Sequence, residues 1–222
     1  MDYKNKYLKY KNKYLQLKNY NQIGGDKTKL TKENTNILKI NSNDELDNYK
    51  KILIDLTKIC EPDDEFEPII NEPHDIFWLV QYKETKKIIG YLKSSDLQQY
   101  EKNDNFELVG GIKDKKGLQI SGVCNGNPNE YTNIGSLLLE NIEEYARDND
   151  YDYILLHAGT DREYLIGEGE RKGLYIKNGF IKERILKAGS FSNIDVWIMY
   201  KYLNMIGGGN NFKIKMSNLV KN

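Results

Sequence analysis

Apolar residues at Ile134, Leu137, Leu138, Ile142 and Tyr145 follow a period of three to four, the buried face of one helix. Before them, Leu118, Ile120 and Val123 sit among β-tolerant neighbours and predict a strand. Between the two, Gly126, Pro128 and the neighbouring asparagines interrupt regular pairing after Cys124. Thr132 or Asn133 is placed to cap the helix. This strand–loop–helix stretch, 118–147, organises the reading of the whole chain. A helix start leaves backbone N–H groups without intrahelical partners, and the helix dipole makes them an anion site. Asn133 tolerates the left-handed conformation such a turn needs, and Gly135 lets a ligand come close to the backbone. An ordinary turn has the same local pattern, so the junction alone assigns no chemistry.

The same periodicities predict the other elements. NILKI at 36–40 reads as a strand. Ser42 and Glu45 form a capping-box pattern opening a helix whose apolar face is Leu46, Tyr49, Ile52, Leu53, Leu56 and Ile59. Residues 61–75, with Pro62, Pro68 and Pro73 among many acids, read as a loop. Ile76–Tyr82 and Lys87–Leu92 predict a hairpin turning at Glu84-Thr85. FELVGGI at 106–112 suggests an added strand, YDYILLHA at 151–158 a central one, and Lys182–Leu186 and Asn193–Tyr202 the last two. Asn204 onward is a Gly/Asn/Lys tail expected to be disordered. The expected organisation is a leader and linker at 1–35, one domain at 36–203 and a tail at 204–222.

The leader has its own pattern. YKNKYLK at 3–9 recurs as YKNKYLQ at 10–16, and Tyr3, Tyr7, Tyr10, Tyr14 and Leu17 form one seam on a lysine-rich helix. It reads either as a marginal basic helix or as a docking leader that meets an anionic surface. Overall charge is balanced, 33 basic against 33 acidic residues, which gives no case for nucleic acid as a partner of the domain. The two cysteines, Cys60 and Cys124, are too few for a disulfide scaffold or a zinc knuckle, and a reducing compartment is the default expectation. No apolar run approaches the roughly 20 residues that span a bilayer, and no secretory signal is seen.

The wording of two segments goes further than their periodicity. Asn133-Ile134-Gly135-Ser136-Leu137-Leu138-Leu139-Glu140, followed by Tyr145-Ala146-Arg147, resembles the acetyl-CoA-binding segment of the GNAT (Gcn5-related) N-acetyltransferases. Gly173-Leu174-Tyr175-Ile176-Lys177-Asn178-Gly179-Phe180 resembles the family's later "LYxxxGF" motif, and Gly90-Tyr91-Leu92 its "GxxVGyl" strand. The resemblance spans roughly 36–203. It implies an α/β fold with a mixed, mostly antiparallel sheet, helices on both faces and a splay between two middle strands. It also implies acetyl-CoA as acetyl donor, no metal, and direct transfer to an amine on a small molecule or protein. Backbone groups across Glu130, Tyr131, Thr132, Asn133, Ile134, Gly135 and Ser136 would grip the phosphates. The pantetheine arm would lie along Ser121–Cys124 as an added strand, with an N–H at Val123 or Cys124 facing the thioester oxygen.

The family's proton donor maps to Tyr175, with Tyr164 a weaker substitute. A phenol of ordinary pKa, about 10, stays protonated at neutral pH and can pass a proton to a thiolate. His157 suits a base by chemistry, and Asp161, Glu163 and Glu168 compete for that role. Cys124 as an acetylated nucleophile lacks a neighbouring activating base. Acids in 61–75 would attract a cationic amine, and they equally suit a solvated loop. The chain departs from the family where Glu130 replaces Arg or Gln and Asn133 replaces a glycine, and 159–172 reads as an insertion. These departures keep a catalytically inactive, GNAT-like binding module as the alternative. The leader and Ile23-Gly24-Gly25 resemble those on proteins of large DNA viruses that infect amoebae. This resemblance implies a viral protein in host cytoplasm or virion, docking to a virion component, with cleavage after Gly25.

Overall fold

The computed structural model describes residues 27–60, 75–101, 106–107, 110–160, 166–167, 172–188 and 194–203. The leader seam, the acidic stretch 61–74, the tail, Tyr164 and the competing acids Asp161, Glu163 and Glu168 lie outside the described residues. In chain order the elements are β1 (Thr28–Lys29), β2 (Thr35–Ile40), α1 (Asn43–Asp47), α2 (Lys50–Cys60), β3 (Ile76–Tyr82) and β4 (Ile88–Asp96). After a 3₁₀ turn at Leu97–Tyr100 come β5 (Gly117–Asn125), β6 (Tyr131–Thr132), α3 (Ile134–Asp148) and β7 (Tyr153–Gly159). The last elements are α4 (Leu174–Lys177), β8 (Ile181–Leu186) and β9 (Val196–Tyr202).

Seven strands form one sheet in the order β2-β3-β4-β5-β7-β9-β8. The ladders β2/β3, β3/β4, β7/β9 and β8/β9 are antiparallel, and β5/β7 is parallel. This is the mostly antiparallel α/β architecture expected. The β5/β7 ladder runs from Gly117↔Tyr153 to Ile120↔Leu156 and includes none of Ser121–Asn125. β3 and β7 are near-continuous apolar runs, as strands covered on both faces must be, because neither face can present polar groups to water.

The chain divides into two compact units. Unit 1 contains residues up to Ser95 together with Ser121–Asn141; unit 2 contains Asp96–Ile120 and the chain from Ile142. The core of unit 1 gathers Leu46, Leu53 and Leu56 from the helices with Phe77, Leu79, Ile88, Tyr91 and Cys124 from the sheet. Unit 2 is built around Leu97, Phe106, Tyr153, Leu155, Ile198 and Tyr200.

Four sequence expectations need correction. The helix opened by Ser42 is two helices. Ser42 does accept from the Glu45 N–H, but Asn48 and Tyr49 donate back to Glu45 and Leu46, a tightened i−3 turn that ends α1 before α2 begins. Ile52 and Ile59, assigned to its buried face, are 40% and 51% exposed and line an open apolar groove of about 500 Å³ with Leu56, Ile88 and Ile89. FELVGGI is not a strand in its described part: Gly110 and Gly111 donate locally to Glu107 and Phe106, and Gly110 sits at φ 105°. Cys60 and Cys124 are not separate thiols but a disulfide joining the end of α2 to β5. That removes Cys124 as a nucleophile and the cysteine argument for a reducing compartment.

Candidate functional site

In unit 1 the loop after β5 is built from its own backbone. Gly126 donates to the Ile89 carbonyl, Asn125 accepts from the Asn127 N–H, and the Asn127 carbonyl accepts from both Glu130 and Tyr131. Tyr131 and Ile134 are buried and anchor the loop, with the Tyr131 ring 5.2 Å from that of Tyr82. Burial, then the charges of Glu130 and Glu84, push the Tyr131 phenol up, so it is neutral at pH 7. Close packing of β4 beneath depends on Gly90, where a Cβ would stand 2.7 Å from both the Cys124 carbonyl oxygen and Ile134 Cγ2.

Asn133 is the hinge of this region. It sits at φ 75°, the left-handed conformation its side chain tolerates, and its carbonyl accepts from Leu137 N–H at 3.1 Å. It therefore stands at the cap position of α3, a 15-residue helix. Its side chain donates to the Leu30 carbonyl at 3.0 Å. Asn133, Thr132 and Glu130 are exposed, and Gly135 and Ser136 half-buried, so the loop's outer face and the first turn of α3 reach solvent. On β5, a Cβ added at Gly122 would meet no heavy atom within 4 Å, and Ser121 is exposed. Room beside the strand, a left-handed cap and a small residue at the helix start together suit a phosphorylated ligand with an extended arm.

One partner of this loop was invisible in the sequence. Thr28–Lys29 pair in parallel with Tyr131–Thr132, Thr28 N–H donating to Glu130 at 2.9 Å and Leu30 N–H to Thr132 at 3.1 Å. Two residues are too few for any periodicity to register, and their pairing spans about a hundred positions.

His157 and Tyr175 belong to unit 2. His157 is half-buried on β7, opposite Ile198 of β9. Tyr175 is buried in α4, a single helical turn. That turn closes with a paired C-terminal cap: Phe180 N–H donates to the Tyr175 carbonyl, Gly179 N–H donates to Ile176, and Gly179 takes φ 85°. The Phe180 ring then packs edge-on against Tyr175 at 5.9 Å. Leu-Tyr-x-x-x-Gly-Phe is thus a Schellman motif with its hydrophobic contact, which explains physically why a glycine and an aromatic follow the tyrosine at this spacing. Among the described residues no three His, Cys, Asp or Glu groups form a metal-holding set.

No protein-family model and no curated protein sequence matches the chain. Its fold, however, is shared with solved N-acetyltransferases. NAA60 of Arabidopsis thaliana, solved with acetyl-CoA, aligns over 77% of this chain and 99% of its own at TM-score 0.55 and 14% identity. The spermidine/spermine N-acetyltransferase SpeG of Vibrio cholerae aligns over 77% and 94% at TM-score 0.51 and 13% identity. The ribosomal-protein-S18-alanine N-acetyltransferase of Escherichia coli aligns over 80% and 99% at TM-score 0.51 and 12% identity. At such identities the similarity is one of fold.

Proposed function

We propose that this chain, which has the GNAT fold, is an N-acetyltransferase that moves an acetyl group from acetyl-CoA directly to an amine. The observation that carries this reading is Asn133, held left-handed and exposed at the cap of α3 with Gly135 and Ser136 half-buried in the first turn. Its neighbours in fold act on polyamines and on proteins, so the acceptor is assigned only as an amine.

Acetyl-CoA supplies the activated acetyl group as a thioester. Backbone N–H groups from Asn133 to Ser136 would hold its phosphates, with the dipole of α3 behind them; the Tyr131 N–H is already given to the Asn127 carbonyl. The backbone at Val123 or Cys124 would donate to the carbonyl oxygen, and the disulfide at Cys124 fixes that stretch of β5 covalently. Were acetyl-CoA bound, attack of the amine nitrogen on the acetyl carbon would break the carbon–sulfur bond. Tyr175 would be the group to give the departing sulfur a proton, and His157 the group to take the proton that the amine releases, directly or through water.

Glu130 favours a second reading, a GNAT-fold binding module without catalysis. It is exposed on the phosphate loop where the family carries Arg or Gln, and a carboxylate there repels an anion. Calorimetric titration of the full chain with acetyl-CoA and with free CoA, beside Glu130→Gln, tests both. Saturable binding followed by turnover in an amine screen supports the enzyme. Binding without turnover selects the module, and no binding at high micromolar cofactor rejects acetyl-CoA for either.

A further inference from the structure

The segment just after the leader is tied to the candidate phosphate loop at every step. Lys27 Nζ donates to the Pro128 carbonyl at 3.0 Å, Thr28 N–H to Glu130, Leu30 N–H to Thr132, and Asn133 Nδ2 back to the Leu30 carbonyl. Leu30 is fully buried, which pins the segment to the body of unit 1. Beyond it, Asn34 Oδ1 accepts from the Thr31 N–H, and Lys83 Nζ donates to the carbonyls of Lys32 and Glu33. A strap attached at both ends therefore runs alongside residues 128–133.

The strap also changes the charge of the loop. Between Gly126 and Ser136 the loop carries one charged residue, Glu130, so taken alone its face is anionic. Register places Lys29 beside Thr132, and both are exposed, so both lie on the outward face of the ladder. Two positions earlier on each strand, Lys27 and Glu130 are exposed too. With both lysines counted, that face changes from one negative charge to one net positive charge.

We propose that residues 27–34 are a working part of the acetyl-CoA site: they hold the loop in its binding conformation, and Lys29 supplies the cation that Glu130 fails to supply. This role rests on the proposed acetyl-CoA reading. It also means that a cut after Gly25 would leave the strap whole, so loss of the leader and loss of the site are separate events.

The test is acetyl-CoA binding by the full chain, comparing wild type with Lys29→Ala, Lys29→Arg and Thr28→Pro, with a thermal melt for each. Lys29→Ala should weaken binding about tenfold at low salt, as expected for a lost charge-assisted contact. That deficit should shrink at molar salt, where screening acts within about 3 Å, and Lys29→Arg should restore affinity. A purely structural role for Lys29 would show neither the salt dependence nor the rescue. Thr28→Pro deletes the N–H donated to Glu130 and should weaken binding several-fold at any salt. Wild type that binds, with both Lys29→Ala and Thr28→Pro within twofold of it, overturns the strap's role alone. Wild type that does not bind overturns the strap's role and the acetyl-CoA reading together.

Discussion

Units 1 and 2 stabilise their parts of the sheet by different means. Unit 1 contains both cysteines, closed as a disulfide from α2 to β5, and the strap that pairs with the loop before α3. Unit 2 relies on buried tyrosines. Tyr153 accepts from Ile112 N–H at 2.9 Å, Tyr200 donates to Gly110 at 2.8 Å, and Tyr151 donates to Asp96 at 3.1 Å. Tyr200 and Tyr202 stack with planes 9° apart. Burial raises all four phenols, Tyr153 and Tyr202 to about 12, so these hydroxyls stay neutral at any physiological pH. The candidate chemistry divides the same way. In unit 1 it resides in backbone N–H groups whose positions must be fixed, and in unit 2 in the side chains of His157 and Tyr175. Where backbone does the binding, covalent and ladder constraints matter most. Where side chains act, a tyrosine has to be distinguished from many structural ones by the motif that holds it.

The sharpest way to break the comparison is to cut the disulfide. Its sequence separation of 64 gives a chain-entropy contribution of about 4 kcal/mol. Cys60→Ser with Cys124→Ser should lower the denaturation midpoint accordingly, and reductant should shift wild type but not the double variant. A midpoint unmoved by the double substitution would show that unit 1 needs no covalent staple.

Next in size is Tyr175→Phe, which keeps the buried ring and its contact with Phe180 while removing the hydroxyl. Acetyl transfer should fall about 10²-fold, or about 2.7 kcal/mol in the barrier, with acetyl-CoA affinity unchanged. Steady-state kinetics that match wild type would place Tyr175 with the structural tyrosines of its unit.

Gly179→Ala imposes a side chain at φ 85° and should cost about 1–2 kcal/mol, read by denaturant unfolding. A neutral result would mean that the turn tolerates repacking and does not position Tyr175 rigidly.

The smallest effect expected is at Glu143 of α3, which binds Lys201 of β9 and Arg147 one turn on. Burial pushes its carboxyl up, but the bonds from Lys201 and Arg147 more than reverse this and hold it below the usual range. Because the folded value is depressed, the stabilisation is present above the unfolded carboxylate pKa of about 4.3 and is lost as pH falls through the lower folded value. Glu143→Gln should therefore cost about 1 kcal/mol at pH 7 and converge with wild type in acid, as measured by unfolding across that range.

What could be read ahead of the structure followed a physical rule. α3, β3, β4 and β7 were legible because a buried helix face or a covered strand imposes its own period on the sequence. Asn133 was legible as one of two cap candidates, with Thr132, and as a residue that accepts the left-handed backbone. Tyr175 was singled out by the family's LYxxxGF wording alone, and the structure supplies the physical reason for that wording, a Schellman turn that needs glycine and an apolar residue at fixed offsets. The break between α1 and α2 was not, since Tyr49 continues the apolar period across it. Ile52 and Ile59 were misassigned because periodicity records which side of a helix is apolar, not whether anything covers it.

The sequence by itself determined the local elements, their order, and a wording similar to that of one enzyme family. Only the tertiary structure decided that Cys60 and Cys124 are bonded, that residues 28–30 pair with 130–132, and that Gly90 makes room for Ile134. Each of these joins positions far apart along the chain. Local periodicity carries no record of such a contact, because it exists only once the sheet and helices have brought the two positions together.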